Sequence, residues 1–518
     1  MKNKHFTTIS HHLRASGNRS AIFCSTLLFA GLAASALHAK PNTTPPGDRA
    51  INASVENRLL IDSAVPSNYI DITTKDGVVT LSGTAPSLLA KDRATAISQS
   101  IRGVRAVVNN ISVKAALRTD DEIQGDTESA LLNDPATDLY EVEVVAKDGE
   151  ITLTGKVNSW QEKQLSGVVV RGVKGVKDVK NELTVETTTE RPDMEIAAEV
   201  KKSLERDVWV SDVLISTEVH NGIVVITGSV SSVAEKNRAI SNAWTMGVKQ
   251  VDDEGLRVEP WANEGSMQRK KEYAVKSDDE IKQAVSDAFR FDPRVDSFNP
   301  DVYVNGGVVT LSGIVDNLRS KMAAEQTATN TVGVSRVNNH LKVRVENPPE
   351  NSVIVENLKT ALGRDPFLEG YEIGISINNG TAKLTGTVDT SFEKLRAREI
   401  ASGVKGVTSV NNGLSVSNPK FTYYSFPYSW YYNAPFYYNR EPGWMATSDR
   451  NDAEIKEEIE SEFTWSPFVD VEQITVTVDN GAATLTGTIK DWNDVRDATE
   501  NAYEGGAHRV INKLKVKE

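Results

Sequence analysis

One nine-residue pattern recurs six times along the chain and limits what the chain can fold into more than any other feature. Each copy joins a turn dipeptide to an alternating apolar run and a second glycine. The copies are KDGVVTLSG (75–83), KDGEITLTG (147–155), HNGIVVITG (220–228), NGGVVTLSG (305–313), NNGTAKLTG (378–386) and DNGAATLTG (479–487). Their first glycines are 72, 73, 85, 73 and 101 residues apart. We therefore predict six copies of a unit of about 72 residues, with inserts after copies three and five.

Each copy begins with a pattern typical of an amphipathic helix. Apolar residues recur at i, i+4 and i+8, as in Ile51, Val55 and Leu59, and so line one helical stripe. Copy two is weaker, because Thr127 interrupts its stripe. Two hydroxyl residues stand three positions before a glutamate and predict capping boxes at helix starts, namely Thr119 with Glu122 and Ser277 with Glu280.

The repeated pattern itself predicts a β-hairpin, since two alternating runs are joined by a D-G or N-G turn. The first glycine is the turn residue for which we expect a positive φ, at Gly77, Gly149, Gly222, Gly307, Gly380 and Gly481. The second glycine lies late in the return strand, where a missing side chain predicts a bulge or the close approach of a helix. A phosphate-binding loop is disfavoured, because a strand and not a helix follows the turn.

A second helix and a last strand complete each copy. The end pattern recurs as GVRAVVNNISV (103–113) and GVTSVNNGLSV (406–416), while copy three, GVKQVDDEGLRV (247–258), has one extra residue. The predicted fold class is α+β, with six tandem αββαβ domains that each form a small mixed three-stranded sheet covered by two helices. The predicted domains are 48–114, 118–186, 191–259, 277–345, 350–417 and 449–518, with a linker at 260–276 and an insert at 418–448.

These motifs resemble the BON domain, which is named for bacterial OsmY and nodulation proteins. The helix start D-x-E-I, the D-G or N-G turn, the strand V-T-L-[ST]-G and the end G-V-x-x-V-x-N-x-L-x-V carry the resemblance over about residues 48–518 apart from the inserts. The resemblance implies an OsmY-like periplasmic or envelope protein that binds phospholipid surfaces and protects the envelope during osmotic stress. It also implies binding and stabilisation rather than catalysis.

The N-terminus predicts export. Residues 1–39 combine a basic leader with an apolar run from Ala21 to Leu37 and small residues that suit cleavage, which is typical of a signal peptide. An uncleaved anchor helix is the alternative, but 17 apolar residues with Ser, Thr and Gly are short for a membrane span. The expected location is the periplasm.

Composition excludes several classes of function. Beyond residue 39 the chain carries 54 cationic and 71 acidic side chains, a net charge of −17, so nucleic acid is an unfavourable partner. The only cysteine, Cys24, lies in the leader, which excludes disulfides and thiolate zinc sites from the body of the protein. No nucleophile and base stand at a recognisable catalytic spacing. We predict no enzyme, no catalytic or metal-binding residues and no cofactor. Trp160 and Trp492 open second helices; we expect them to cover sheet edges, with anchoring of a partner as the alternative.

The insert at 418–448 holds twelve of the 34 aromatic residues in its segment from Phe421 to Trp444. Three interpretations are open: contact with the headgroup level of a bilayer, stacking on the sugars of a glycan, or packing on copies five and six. The candidate membrane or ligand contacts are Tyr423, Tyr424, Phe426, Tyr428, Trp430, Tyr431, Tyr432, Phe436, Tyr437, Tyr438 and Trp444.

The linker at 260–276 contains a basic cluster, whose candidate contacts with anionic headgroups are Arg269, Lys270, Lys271 and Lys276. A solvated linker is the alternative, since three glutamates dilute the cluster. Because the net charge of −17 repels an anionic bilayer, we expect any lipid contact to be local. Two functions remain open: a protein that binds phospholipid membrane surfaces, or a scaffold for envelope proteins or peptidoglycan. The pattern leaves the oligomeric state undetermined.

Overall fold

The computed structural model contains the six predicted copies, which we number repeats 1 to 6. It describes residues 46–516 except for short gaps and the second insert. The residues outside the description are 1–45, 63, 135–136, 138–140, 187–190, 264–275, 296–297, 418–450, 466–473, 490–494, 496–497, 500, 503–504, 508 and 517–518. The predicted signal peptide and most of both inserts therefore lie outside the described residues.

Repeats 1 to 3 follow the predicted element order. Repeat 1 contains α1 Asp48–Ile61, β1 Ile70–Lys75, β2 Val78–Ala85, α2 Leu88–Gln99 and β3 Ala106–Val113. Repeat 2 contains α3 Asp120–Asn133, β4 Glu141–Lys147, β5 Glu150–Val157, α4 Trp160–Arg171, β6 Asp178–Asn181 and β7 Thr184–Val185. Repeat 3 contains α5 Asp193–Arg206, β8 Ile215–His220, β9 Ile223–Val230, α6 Val233–Ala243, β10 Gln250–Asp252 and β11 Leu256–Val258.

Repeats 4 to 6 repeat the order. Repeat 4 contains α7 Asp278–Phe289, β12 Asp301–Asn305, β13 Val308–Ser312, β14 Ile314–Val315, α8 Leu318–Thr329, β15 Arg336–Asn339 and β16 Lys342–Val343. Repeat 5 contains α9 Asn351–Gly363, β17 Gly374–Asn378, β18 Thr381–Val388, α10 Ser391–Ser402 and β19 Ser409–Val416. The described part of repeat 6 contains α11 Asp452–Trp465, β20 Ile474–Asp479, β21 Ala482–Ile489 and β22 Arg509–Val516.

The return strand of the hairpin lies in the middle of each sheet. In repeat 1, β1 pairs with β2 antiparallel and β3 pairs with β2 parallel, with Val78 opposite Ala106. The same mixed order recurs in the other repeats, where a bend divides the last strand of repeats 2, 3 and 4. The predicted α+β fold of small three-stranded sheets is thus confirmed. In repeat 3 the register changes between β10 and β11, which absorbs the extra residue of that copy.

The turn glycine and the strand glycine are needed for two different steric reasons. Gly77 has a φ of +75°, and Asp76 before it also has a positive φ, as a two-residue hairpin turn needs. Gly83 has a φ of +116°, and a Cβ there would collide with the backbone oxygen of Tyr69. The close approach therefore comes from Tyr69, the last residue of a short 3-10 helix (Ser67–Tyr69) that directly precedes β1.

A carboxylate at the start of the first helix holds the hairpin turn. Asp278 accepts hydrogen bonds from the backbone N–H groups of Gly306 (2.8 Å) and Gly307 (3.0 Å). These two bonds lower the pKa of Asp278 below its ordinary value. The equivalent residues in repeats 1, 2, 3 and 6 make the same pair of bonds, from Asp48, Asp120, Asp193 and Asp452.

The two predicted capping boxes are present and confirmed. Thr119 and Glu122 bond reciprocally at the start of α3, and Ser277 and Glu280 do so at the start of α7. The helical stripes are buried, including Ile51, Val55 and Leu59. Thr127 stays in the buried stripe of α3 because its hydroxyl donates to the carbonyl of Ile123 at 2.7 Å.

An asparagine in the last strand ties that strand to the second helix. Asn412 donates from Nδ2 to the carbonyl of Lys394 at 2.6 Å and accepts at Oδ1 from the N–H of Leu414. Equivalent bonds come from Asn109, Asn181, Asn339 and Asn512. Repeat 3 has no asparagine there, and Lys236 instead pairs with Asp253 at 2.9 Å.

The cores of the repeats are joined across the chain. Buried residues of repeats 1 and 3 form one continuous hydrophobic cluster, and Phe367 of repeat 5 packs against it. Leu88 of repeat 1 belongs to the core of repeat 2, and Leu318 of repeat 4 packs against the core of repeat 5. Arg58 of repeat 1 forms an ion pair with Glu462 of repeat 6. The described repeats therefore pack on sequence neighbours and on distant repeats alike.

We expect Asn412→Ala to lower the free energy of unfolding by about 1 to 3 kcal/mol, since it leaves the carbonyl of Lys394 without its bond in a partly buried position. Urea unfolding followed by circular dichroism measures this change. Asn411→Ala is the matched control, because Asn411 lies next to it on the exposed face of β19. Equal losses from both substitutions would contradict the role of the Asn412 bonds.

Candidate functional site at the junction of the repeats

Most of the residues predicted to contact lipid lie outside the described part of the chain. This holds for the aromatic contacts between 423 and 444 and for Arg269, Lys270 and Lys271. Lys276 is described: it is partly buried and directly precedes Ser277, the N-cap of α7. The backbone N–H and hydroxyl of Ser277 lower the pKa of Glu280, and the charge of Lys276 lowers it further. Lys276 thus contributes to a helix start, and its contact with lipid stays a prediction.

Two properties of the described residues limit the kinds of site present there. They contain no group of three or more His, Cys, Asp and Glu side chains arranged to hold a metal ion. None of their helices is both long enough and apolar enough to cross a bilayer. The polar features that stand out are instead ion pairs buried where the repeats meet.

A buried aspartate follows the first helix in five repeats, always 15 residues before the turn glycine: Asp62, Asp134, Asp207, Asp292 and Asp365. In repeats 1, 3 and 5 an arginine follows it 31 residues later in the second helix: Arg93, Arg238 and Arg396. Sequence reasoning missed these pairs. Their constant distance from the turn glycine is the signal that would have found them.

The three arginines meet their aspartates at close range. Arg93 binds Asp62 with Nε to Oδ1 at 2.8 Å and Nη2 to Oδ2 at 2.6 Å. The Nε atom of Arg238 lies 2.5 Å from Oδ2 of Asp207, and the Nε atom of Arg396 lies 2.7 Å from Oδ2 of Asp365. Because both members are buried, each pair must be satisfied within the protein.

Repeats 2 and 4 lack the arginine, and Leu165 and Ala323 stand in its place. Asp134 of repeat 2 is bound by Arg319, which comes from α8 of repeat 4. In repeat 4 the side chain of Arg294 binds Asp292 at 2.8 Å, and the hydroxyl of Thr327 donates to it at 2.8 Å. A substitution in one repeat is therefore compensated by a neighbouring segment or by another repeat.

Equivalent aspartates have opposite pKa shifts. Burial alone would raise the pKa of Asp292, but Arg294 and the hydroxyl of Thr327 outweigh it and lower that pKa below its ordinary value. Burial raises the pKa of Asp365; Arg396 opposes this effect, while the nearby carboxylate of Glu399 adds to it. Burial is the largest effect on both carboxylates, and the cation and hydrogen bonds outweigh it at Asp292 but not at Asp365.

Repeats 2, 3 and 4 meet at one junction. The rings of Trp160 in repeat 2 and Trp244 in repeat 3 stack in parallel with centroids 5.3 Å apart. Trp160 therefore packs on another repeat, while Trp492 lies outside the described residues. The guanidinium of Arg206 in repeat 3 lies 5.3 Å from the ring centroid of Phe291 in repeat 4.

Main-chain bonds also connect repeats 3 and 4. The N–H of Val208 donates to the carbonyl of Asn330 at 3.1 Å, and the N–H of Val332 donates to the carbonyl of Arg206 at 2.8 Å. Because backbone groups are fixed by the fold, these bonds set the position of one repeat relative to the other.

Two cavities lie at the junctions. One of about 110 Å³ lies among repeats 2, 3 and 4, and one of about 120 Å³ lies among repeats 2, 4 and 5. Arg319, Arg364 and Arg396 line the second cavity, and burial lowers the pKa of Arg364. Both cavities gather polar side chains from three repeats, which no single repeat could do.

Fold and junctions together define a tandem α+β repeat protein whose domains are joined by buried ion pairs and stacked rings. The chain belongs to the BON domain family, which it matches at residues 47–115, 119–187, 192–260, 277–345, 350–418 and 451–518. Each matched segment contains one hairpin and its turn glycine.

Two curated relatives are similar over parts of the chain. Osmotically-inducible protein Y of Escherichia coli is 41% identical over 68 residues, which is 13% of this chain and 34% of that protein. Outer membrane lipoprotein DolP of Haemophilus influenzae is 26% identical over 157 residues, which is 29% of this chain and 81% of that protein. The chain thus matches about a third of the length of Osmotically-inducible protein Y.

Among solved structures, two structures of CdsD, a structural protein of the type III secretion system of Chlamydia trachomatis, are similar to parts of the chain. They are 14% identical and cover 43% and 47% of this chain and 93% and 100% of their own, with TM-scores of 0.12. A similarity this low carries no argument about function.

We expect opposite pH dependences from the two aspartates. The lowered pKa of Asp292 means that its carboxylate stabilises the fold above the unfolded pKa, about 3.9, and that this stability is lost as pH falls through the folded pKa. Asp292→Asn should therefore lower Tm most near pH 7, and the difference in Tm from wild type should become smaller toward pH 3.5.

The raised pKa of Asp365 means that its contribution is fully present below the unfolded pKa and is lost as pH rises through the folded pKa. The Tm of wild type minus the Tm of Asp365→Asn should therefore increase as pH falls. Calorimetry of the three proteins at matched pH values measures both differences. If the Tm differences of the two variants from wild type change with pH in the same direction, the opposite pKa shifts of Asp292 and Asp365 are wrong.

We expect Arg319→Ala to destabilise the protein by about 3 to 5 kcal/mol, because it leaves the buried carboxylate of Asp134 without this cation. The double substitution Arg319→Ala with Asp134→Asn should recover part of that loss, since it removes the unpaired charge as well. Calorimetric unfolding of the wild type, both single variants and the double variant measures the coupling. Strictly additive losses would mean that the two repeats are not coupled by this pair.

Proposed function

We propose that this protein is a non-enzymatic periplasmic protein of the bacterial envelope that binds phospholipid membrane surfaces and supports envelope integrity under osmotic stress. The observation that carries the proposal is the presence of six BON domains in one chain, together with relatives named for osmotic induction and for the outer membrane. Localisation in the periplasm rests on the predicted signal peptide at 1–39 and on these relatives.

Charge and packing favour a local contact with the membrane. A net charge of −17 beyond residue 39 repels an anionic bilayer, so binding needs a segment where cations or aromatic rings are concentrated. The helices α4, α5, α6, α7 and α8 contribute residues to the cavity among repeats 2, 3 and 4, which engages those helical faces with other repeats. We therefore assign the contact to the inserts at 260–276 and 418–448.

A non-catalytic role agrees with the chemistry of the junctions. Asp62, Asp207 and Asp365 each bind an arginine, an arrangement that neutralises charge and holds neighbouring segments together. Catalytic carboxylates need access to a substrate and a proton to transfer, and buried ion pairs of this kind provide neither.

The second candidate function is a scaffold for envelope proteins or peptidoglycan. It is favoured by the packing of distant repeats, such as the shared core of repeats 1 and 3 and the bonds between repeats 2 and 4. Residues 45–518 form one compact unit, which can present several binding surfaces in fixed relative positions.

We expect the mature protein to co-sediment with vesicles of anionic phospholipid at low salt and to be released as salt screens the attraction. Replacing the eleven aromatic contacts from Tyr423 to Trp444 by serine should reduce binding to anionic and zwitterionic vesicles at least tenfold. Replacing Arg269, Lys270 and Lys271 by glutamine should reduce only the salt-sensitive part.

Lys201→Gln with Lys202→Gln is the matched control, since both lysines are exposed on α5 and lie outside the inserts. It should leave vesicle binding nearly unchanged. If the wild type fails to sediment with any vesicle but sediments with purified cell wall, the phospholipid proposal is wrong and the scaffold is favoured.

A further inference from the structure

Two buried polar atoms of residues that line the cavity among repeats 2, 3 and 4 have no hydrogen-bond partner in the described part of the chain. They are Nη1 of Arg238 and the hydroxyl oxygen of Thr245, and both residues line the cavity. Thr245 is 8% exposed, and the side chain of Arg238 is 15% exposed. Buried donors without acceptors destabilise a fold, so their retention at one cavity points to a ligand that accepts from them.

The carboxylate of Asp207 is shared among Arg238 and two other donors. Its Oδ2 accepts from Nε of Arg238 at 2.5 Å and from Nδ2 of Asn242 at 2.7 Å, while Oδ1 accepts from the N–H of Trp209 at 2.9 Å. The equivalent Arg93 in repeat 1 directs both Nε and Nη2 at Asp62. Arg238 is therefore bound at one edge of its guanidinium and leaves Nη1 without an acceptor.

The charges around the cavity are balanced. Three guanidinium groups line it, from Arg206, Arg238 and Arg294, together with the carboxylates of Asp207 and Asp292, and Glu199 pairs with Arg206 at 3.0 Å. An anion is favoured instead by the unpaired cationic donor Nη1 of Arg238, in an environment where charge interactions are stronger than in water.

The size of the cavity restricts the ligand further. About 110 Å³ is well below the roughly 300 Å³ at which sites for drug-sized molecules begin. It is several times the roughly 30 Å³ that one water molecule occupies in the liquid. The space suits one small oxyanion or the end group of a longer molecule.

We propose that the junction of repeats 2, 3 and 4 binds one oxyanion group, a phosphate or a carboxylate, through the guanidinium of Arg238 and the hydroxyl of Thr245. The guanidinium presents a planar donor edge that matches such a group, and the threonine hydroxyl donates a second bond. Since the site is built from three repeats, the bound anion stabilises their junction. The proposal is independent of the lipid contact assigned to the inserts.

Isothermal titration of the mature protein with inorganic phosphate and with acetate, each in a chloride buffer, tests the proposal. We expect one site per chain for at least one of these anions. Arg238→Gln should weaken its binding at least tenfold, and Thr245→Val should weaken it about tenfold or more, as loss of a hydrogen bond to a charged group requires. Thr245→Val removes a hydroxyl without a partner, so the variant should stay folded.

Arg93→Gln is the matched control, because it removes the equivalent arginine of repeat 1 away from the cavity. It should leave the affinity for the anion unchanged. The proposal is overturned if neither anion binds at millimolar concentration, or if Arg238→Gln and Thr245→Val both bind as wild type does, which would mean that water alone occupies the cavity or that ions bind elsewhere on the surface.

Vesicles distinguish the source of the group. If phosphatidylglycerol vesicles compete with free phosphate and Thr245→Val weakens both, the anion is a lipid headgroup. If phosphate binds while vesicles do not compete, the ligand is a soluble anion. Both results require binding that depends on Thr245, and neither depends on the inserts at 260–276 and 418–448, so failure here and failure of lipid binding there are separate outcomes.

Discussion

The pairing of a buried aspartate with an arginine is the interaction on which the arrangement of the repeats depends. The carboxylate that follows the first helix is buried in five repeats. Its charge is tolerated there only with a cation at hydrogen-bond distance. Arg93 and Arg396 meet this requirement within their own repeats. Where Leu165 replaces the arginine, Asp134 recruits Arg319 from repeat 4 instead. A local need for charge compensation thereby becomes a bond between domains.

The same requirement explains why six similar units are not interchangeable. In repeats 1, 3 and 5 the arginine and the aspartate of this ion pair come from the same repeat, whereas the aspartate of repeat 2 pairs with an arginine of repeat 4. Apolar contacts also connect the repeats. The shared core joins repeats 1 and 3, which are not adjacent in sequence, and the stacked Trp160 and Trp244 join the adjacent repeats 2 and 3. The copies therefore differ in the residues with which they contact other repeats, and the junction cavities exist only in the assembled protein.

Much of the repeat fold could be predicted from the sequence, because its determinants are local. The D-G and N-G turns, the alternating strands and the capping boxes at Thr119 and Ser277 act within a few residues, and each lies where the pattern indicates. The bonds from Asp278 to Gly306 and Gly307 span 28 and 29 residues and were not foreseen. The candidate contacts between Tyr423 and Trp444 lie outside the described residues, so their role stays a prediction.

The sequence by itself determined six α+β units and the net negative charge that any partner must accommodate. It did so because hydrophobic period, turn chemistry and composition are properties of short segments. Tertiary structure alone decided which repeats touch, which arginine reaches Asp134 and which cavity Arg238 and Thr245 line together. Those outcomes depend on the packing of surfaces that are far apart in the chain, where complementary shape and the cost of an unpaired buried charge select one arrangement.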